Sequence, residues 1–237
     1  HNHPMYLQLR SIIRRKIESG EYPLGSSLPP ENDLAKKYGI NKLTVRAAIK
    51  DLIKEGLLKS VQGKGVYVCS KIEYDLEVLG GFTQTMKEKN IVPKKKILTK
   101  EKILANKKYA NIFNVDVGEE LYYIRRLDYA NGEPISLEEI YIPYYLVDRI
   151  EGIDLNVFSL YEIYSFYKIN PIKAWETLEI AKLSQGNARL IGIDKDQAVY
   201  LFTYTSYDEK GRVIEFARNH TRSDKCSYKV HFHNDKI

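Results

Sequence analysis

Cysteine is nearly missing from this sequence: of 237 residues only Cys69 and Cys226 carry thiols, far apart and in no C-x-x-C or Cys/His cluster. A disulfide framework and a cysteine-based zinc site are thereby excluded, and both thiols read as structural. Histidine is scarce as well, with five residues, His1, His3, His220, His231 and His233. His231-Phe232-His233 alternates as a strand does and would put two imidazoles on one face, but no further ligands accompany them, so neither a metal nor another cofactor is expected. No stretch approaches the roughly 18 consecutive apolar residues of a membrane span. The first residues also lack the apolar run of a secretory signal, so a cytoplasmic protein without a membrane partner is expected. Nor does any nucleophile stand beside a base in a recognisable local motif, so no enzyme activity is expected. What remains is 43% apolar, 29% charged and 11% aromatic, the make-up of one or two folded domains.

Acidic charge is lacking in one part of the chain. Residues 1 to 71 hold 13 Lys and Arg against 6 Asp and Glu, whereas residues 72 to 237 hold 24 against 25. The formal excess of +6 therefore sits in the first third. A basic segment joined to a near-neutral body is the layout of a nucleic-acid-binding module attached to something else. A structural DNA-packaging protein would be basic throughout, which this body is not.

The basic segment has the pattern of a winged helix-turn-helix. Met5, Leu9, Ile12, Ile13 and Ile17 form a helical stripe from Met5 to Ser19, ended by Gly20. Pro29, Pro30, Glu31 and Asp33 mark the start of a short second helix that breaks at Gly39. Asn41 is placed as the N-cap of a third, which opens on Lys42, Thr44 and Arg46 and carries Val45, Ala48, Ile49, Leu52 and Ile53. Leu57 to Val61 and Val66 to Val68 flank Gln62-Gly63-Lys64-Gly65, a hairpin whose glycine-rich tip lets backbone approach a phosphate. The spacing G-x-x-x-x-G-K-[ST] of a nucleotide loop is absent.

Tyr6-Leu7-Gln8-Leu9, Ile17-Glu18-Ser19-Gly20-Glu21-Tyr22, Leu28-Pro29-Pro30-Glu31-Asn32-Asp33-Leu34-Ala35, Thr44-Val45-Arg46-Ala47-Ala48 and Gln62-Gly63-Lys64-Gly65 resemble the GntR family of bacterial transcription regulators. The resemblance implies DNA contacts from Asn32, Lys42, Thr44, Arg46 and the wing around Lys64, from Gln62 through Gly63 to Gly65. Leu43 is placed to meet a thymine methyl. The family usually has Arg where Asn32 stands and Ser-Arg where Asn41-Lys42 stands. Lysine lacks the planar fork of arginine, so base discrimination should be softer at that position.

In the body, Gly80-Gly81-Phe82-Thr83 precedes a helical stretch from Gln84 to Lys89, with Thr83 as its cap. Lys94 to Lys96 reads as a solvated edge. Leu121 to Tyr129 and Pro134 to Ile142 read as strands joined at Ala130-Asn131-Gly132-Glu133. A two-residue loop would pair even with odd positions. A three-residue loop with Gly132 left-handed pairs even with even, bringing Arg126, Asp128, Ser136 and Glu138 to one face, and is the expected one.

Phe82-Thr83, Arg126-Leu127 with Asn131-Gly132-Glu133-Pro134, Glu138, Ser159-Leu160-Tyr161, Glu176-Thr177-Leu178-Glu179, Asp208 to Gly211, Glu215 and Arg222-Ser223-Asp224 resemble the UTRA effector domain of the HutC branch. An α+β chain is thus expected, a winged helix-turn-helix followed by a chorismate-lyase-like antiparallel sheet with helices packed on it. The domains are placed at 1–69, a linker at 70–79, and an effector-binding and dimerisation domain at 80–237. The resemblance implies a small-molecule pocket that in several members takes phosphorylated sugars. Thr83, Arg126, Glu138, Ser159, Tyr161 and Glu215 match its pattern, with Phe82 beside Thr83. Asp128 stands where a second arginine is usual and Thr221 where a tyrosine is. A dianionic phosphate about 4 Å from Asp128 would meet several kcal/mol of repulsion at an effective dielectric near 20. Two readings follow: a polyhydroxylated effector whose amine Asp128, Glu138 or Glu215 accepts while Arg126 and the Thr83 helix end take an anionic end, or an Asp128 salt bridge to Arg125 or Arg126. The expected function is a ligand-responsive repressor, a homodimer on a near-palindromic double-stranded DNA operator, released by a small-molecule effector. The alternative is an enzyme of lyase-like fold that keeps a DNA-binding module.

Overall fold

Two compact units make up this computed structural model, which describes residues 4–70 and 93–226. The first unit joins the amino-terminal segment to Val147–Asn170, and the second holds the remainder.

In the first unit, helix α1 (Met5–Glu18) buries Leu9 and Ile13 but leaves Met5 half exposed, so its apolar stripe starts one turn later than the spacing predicts. Helix α2 (Glu31–Tyr38) follows Pro30, carries Glu31 and Asp33 at the positive end of its dipole, and stops at Gly39 with φ 62°. Asn41 caps helix α3 (Lys42–Lys54): its Oδ1 accepts from the Thr44 backbone N–H at 2.8 Å and from the Thr44 hydroxyl at 3.0 Å. Strands β1 (Leu58–Val61) and β2 (Gly65–Val68) form the wing, turned by Gly63 at φ 76° with the Lys64 N–H donating to the Val61 carbonyl. Residues 25 to 28 run along the far side of β2, where Gly25 and Leu28 donate to the carbonyls of Val68 and Val66. Leu9, Ile13, Leu28, Leu34, Val45, Ala48, Leu52, Leu58 and Val68 close one apolar core.

The segment 147–170 contains helix α5 (Leu160–Phe166) and packs on the wing. Phe158 meets the Tyr67 ring edge-on at 5.8 Å, and Ile153 covers Gly25.

The second unit is a six-stranded antiparallel sheet in the order β3 (Pro93–Leu104), β4 (Glu120–Ala130), β5 (Glu133–Pro143), β8 (Val213–Arg222), β7 (Val199–Asp208), β6 (Pro171–Ala181). Helix α4 (Lys107–Phe113) packs on Leu121, Tyr141 and Phe216, and helix α6 (Gln185–Leu190) on Leu127, Leu137 and Val199. Those six strand positions point one way, and Arg126, Asp128, Ser136 and Glu138 point the other. The antiparallel sheet with helices on it is the expected architecture.

Its central hairpin reaches the expected register by a different device. Asn131 and Gly132 both take positive φ, 51° and 83°, and make a two-residue turn closed by Ala130 and Glu133. A bulge then leaves Ile135 unpaired, so Asp128 faces Ser136 and Arg126 faces Glu138. The three-residue loop is thus corrected to a two-residue turn plus a bulge, because Asn131 accepts the left-handed conformation that the tighter turn needs.

At Gly25, φ is 82° and an added Cβ would lie 3.0 Å from the Ile153 side chain, whereas Gly39, also left-handed, faces open space. Gly39→Ala should therefore cost about 1 kcal/mol from backbone strain alone, and Gly25→Ala about 2 kcal/mol or more from strain and overpacking together. Urea unfolding midpoints of the two variants test the order.

Candidate functional site

The first unit presents its sequence-predicted residues on one exposed rim. Asn32, Lys42, Leu43, Arg46, Gln62, Gly63, Lys64 and Gly65 are all exposed, with Leu43 at 73%. Thr44 is only half exposed, since its hydroxyl helps hold the cap. Arg46 Nε donates to Glu31 Oε2 at 2.8 Å, so the first turn of α2 aims the guanidinium of α3. Glu31 was visible in the sequence only as a helix-start acid. Lys64 Nζ lies 3.3 Å from Asp154 Oδ2, and Lys59 Nζ donates to the Val157 carbonyl at 3.1 Å. An ion pair as open as Lys64–Asp154 is worth about 0 to 1 kcal/mol, too little to withhold Lys64 from a DNA phosphate.

Ser159 and Tyr161 also lie in the first unit. Ser159 caps α5 in a capping box with Glu162, its Oγ accepting from the Glu162 N–H at 3.1 Å. The Tyr161 ring meets Tyr164 edge-on at 6.2 Å. Phe82 and Thr83, the linker from residue 71 onward, Gln84 to Lys89 and His231 to His233 lie outside the described residues.

In the second unit the strand register assembles two cross-strand rows on the face away from α4 and α6. One runs Lys95, Asp128, Ser136, Thr221 across β3, β4, β5 and β8; the next runs Ile97, Arg126, Glu138, Asn219. Arg126 Nε donates to Glu138 Oε2 at 2.7 Å. Lys95 Nζ donates to Asp128 Oδ1 at 3.0 Å and lies 3.7 Å from Glu138 Oε2, and the Ser136 hydroxyl donates to Asp128 Oδ2 at 3.0 Å. Thr221 donates its hydroxyl to Asn219 Oδ1. Glu215, on the same strand as Thr221, lies close enough to act on the Arg126 charge.

Two sequence readings are corrected here. Asp128 takes its hydrogen-bonding cation from neither Arg125 nor Arg126: Arg125 donates to Asn187 on α6, and Arg126 is taken by Glu138. Its partner is Lys95, which is consequently no solvated edge residue, although Lys94 and Lys96 on either side are exposed. Lys95 and Asn219 were missed because only strand pairing brings them to Asp128 and Glu138. A Lys-Lys-Lys run has no alternation to announce which lysine turns inward.

Charge in this cluster is strongly coupled. Burial pushes the Asp128 carboxyl up, and Glu138 pushes it further, to about 6 despite Lys95 and Arg126. Burial would raise Glu138 too, but Arg126 and Lys95 outweigh it and hold that carboxyl well below the usual range. Burial opposes the Arg126 charge, yet Glu138 and Asp128 keep the guanidinium raised above its ordinary value.

Comparison with known proteins accounts for both units. Residues 5–68 match the family described as bacterial regulatory proteins, gntR family, and residues 88–227, more than half the chain, match the UTRA domain. The chain belongs to the UTRA-domain regulators of the gntR family. The HTH-type transcriptional repressor NagR of Bacillus subtilis (strain 168) is 29% identical over 231 residues, 97% of this chain and 94% of that protein. The mannosyl-D-glycerate transport/metabolism system repressor MngR of Escherichia coli (strain K12) is 26% identical over 232 residues, 95% and 94%. Among solved structures, PhnF from Mycobacterium smegmatis shares the fold with TM-score 0.62 at 21% identity, over 94% of this chain and 98% of that one. This UTRA-domain regulator is therefore a ligand-responsive, DNA-binding transcription regulator of the repressor kind.

A folded pKa above the ordinary value of about 3.9 means that native Asp128 binds its proton more tightly than the unfolded chain does. Stability from this group is present below about pH 4 and is lost as pH rises to about 6, by roughly 2 to 3 kcal/mol. Glu138 works the opposite way, but only in acid below about pH 4. Urea unfolding at pH 5 and pH 7.5 should give wild type a larger gain on acidification than Asp128→Asn. The lowered pKa of buried His220 is common to both and subtracts out.

Proposed function

We propose that this regulator binds a near-palindromic operator as a homodimer and leaves it when a small polar metabolite, a sugar derivative, occupies the polar face of the UTRA sheet. The observation that carries the reading is the pair of buried charged rows on the sheet face opposite the helices, since a fold alone has no use for Arg126, Asp128 and Ser136 in its interior. The sugar class is supported by the relative whose name places it in mannosyl-D-glycerate transport and metabolism. Arg126, Glu138, Glu215 and Thr221 then hold the effector. The DNA module takes residues 1–69, the linker 70–79 and the effector domain 80–237, working in the cytoplasm where the operator is.

One recognition helix reads only a few base pairs, so useful affinity calls for two modules about one helical turn apart. Strand β6 supports the dimer. It is an edge strand among the described residues, eleven residues long, with Trp175, Leu178 and Ile180 exposed. A bare apolar edge of that length is a template for strand pairing.

Leu178→Lys together with Ile180→Lys should shift the protein to monomer in analytical ultracentrifugation and weaken operator binding; a dimer unchanged by both would remove β6 from the interface. In DNA binding, Arg46→Ala should cost about 1 to 3 kcal/mol on the operator and little on random DNA, while Lys64→Ala should weaken both alike. Operator gel shifts titrated with candidate sugar derivatives test the whole reading, and a ligand that strengthens the complex would contradict it.

A further inference from the structure

Helix α3 buries Val45, Ala48, Ile49 and Leu52 and turns Leu43, Arg46 and Lys50, at i, i+3 and i+7, outward as one exposed stripe. Arg46 and Lys50 are cations, as are Lys42 on the same helix and Lys64 on the wing, and such a surface suits a polyanion. Leu43 carries no charge. At 73% it is the most exposed large apolar side chain among the described residues, and it takes no part in the apolar core of its unit. Single exposed leucines are ordinary on a protein surface. This one stands at the second position of α3 between Lys42 and Arg46, so whatever covers it must offer phosphates and an apolar group together. Phosphates run along the whole duplex, but in the major groove the apolar group is the C5 methyl of thymine.

The neighbouring side chains are committed elsewhere. Asn41 caps the helix, and Thr44, which also carries a methyl group, donates its hydroxyl to Asn41 Oδ1 at 3.0 Å and is fixed by the cap. Arg46 is held through Nε by Glu31. We infer that Leu43 is a specificity-determining residue, which packs on the C5 methyl of a thymine in each half-site, within about two base pairs of the pair that Arg46 contacts. The spacing follows from geometry: Cβ atoms three residues apart on a helix are about 5 to 6 Å apart, and successive bases about 3.4 Å. Resting on the reading of this rim as the operator-binding surface, the assignment adds a base identity to it. Lys42 brings charge without a planar fork, so discrimination in this turn passes to Leu43 and Arg46.

The experiment selects binding sites for the full-length protein from random double-stranded DNA, in one pool made with thymine and in another made with uracil, which lacks only the C5 methyl. The first pool should yield half-sites with a fixed thymine close to the position at which Arg46→Ala loses selectivity, and the second should lose that preference. On the selected duplex, uracil in place of that thymine should weaken wild-type binding about fourfold per half-site. Leu43→Ala should bind the thymine and uracil duplexes equally. Its fold is safe, because the side chain is exposed and alanine favours a helix. A Leu43→Ala variant that still separates thymine from uracil overturns the inference, since the leucine then acts on the helix or on deoxyribose. So does a wild type indifferent to uracil at every position near the Arg46 contact. Enrichment of no sequence in either pool overturns the operator reading itself.

Discussion

Where Ile135 bulges out of β5 decides what the UTRA sheet contains. A turn closed by Ala130 and Glu133 and continued without the bulge would pair Arg126 with Leu137 and Asp128 with Ile135. Arg126 would then lose Glu138, leaving a buried charge uncompensated at a cost of about 3 to 5 kcal/mol, and Asp128 would lose the Ser136 hydroxyl. The extra residue turns Ser136 and Glu138 onto the Arg126 face instead, where Glu138 pairs with Arg126 and Ser136 joins Lys95 on Asp128. The same shift sends Leu137 and Tyr141 to the face where α4 and α6 make the core. One bulge thus sets the partner of Arg126 and the packing of Leu137 at once.

Legibility in the sequence follows how local each signal is. The winged helix was readable almost residue by residue because its devices act within four residues of each other: Pro30 before α2, Gly39 after it, Asn41 capping Thr44, Gly63 turning the wing. The pairing of Arg126 with Glu138 was also readable, since a hairpin is local, although the turn type was not. Both Asn131 and Gly132 tolerate positive φ, and nothing nearby distinguishes one left-handed residue from two. Strand β3 was beyond reach for a stated reason: a bulge between Ile97 and Thr99 breaks its alternation, and the lysines before it read as solvent-facing. With β3 unread, the partner of Asp128 was unread too, and the acid was matched to the arginines nearest in sequence.

Charge is used differently in the two units. On the DNA-binding rim the ion pairs are exposed, Arg46 with Glu31 and Lys64 with Asp154, so each is worth little in stability and acts by aiming a side chain. Glu31 holds Arg46 through Nε, which gives the side chain a direction without removing its charge. In the sheet the same two charge types are desolvated, and there geometry and protonation are tied together. Asp128 near pH 6 and Glu138 far below it are one carboxylate pair split by unequal shares of Lys95 and Arg126.

That split bears on how a ligand signal can be large enough to matter. Changing operator occupancy decisively takes a coupling of about 1 to 3 kcal/mol, which an exposed contact does not supply. A buried cluster does, because any charged group added to it must be matched by rearranging partners that are already saturated, at a low effective dielectric. Asp128 already accepts two hydrogen bonds, from Lys95 and Ser136. A ligand that attacks Asp128 must first break one. The energetics therefore set Asp128 apart as a residue committed to its strand neighbours, an acid that the sequence alone made look like an obstacle.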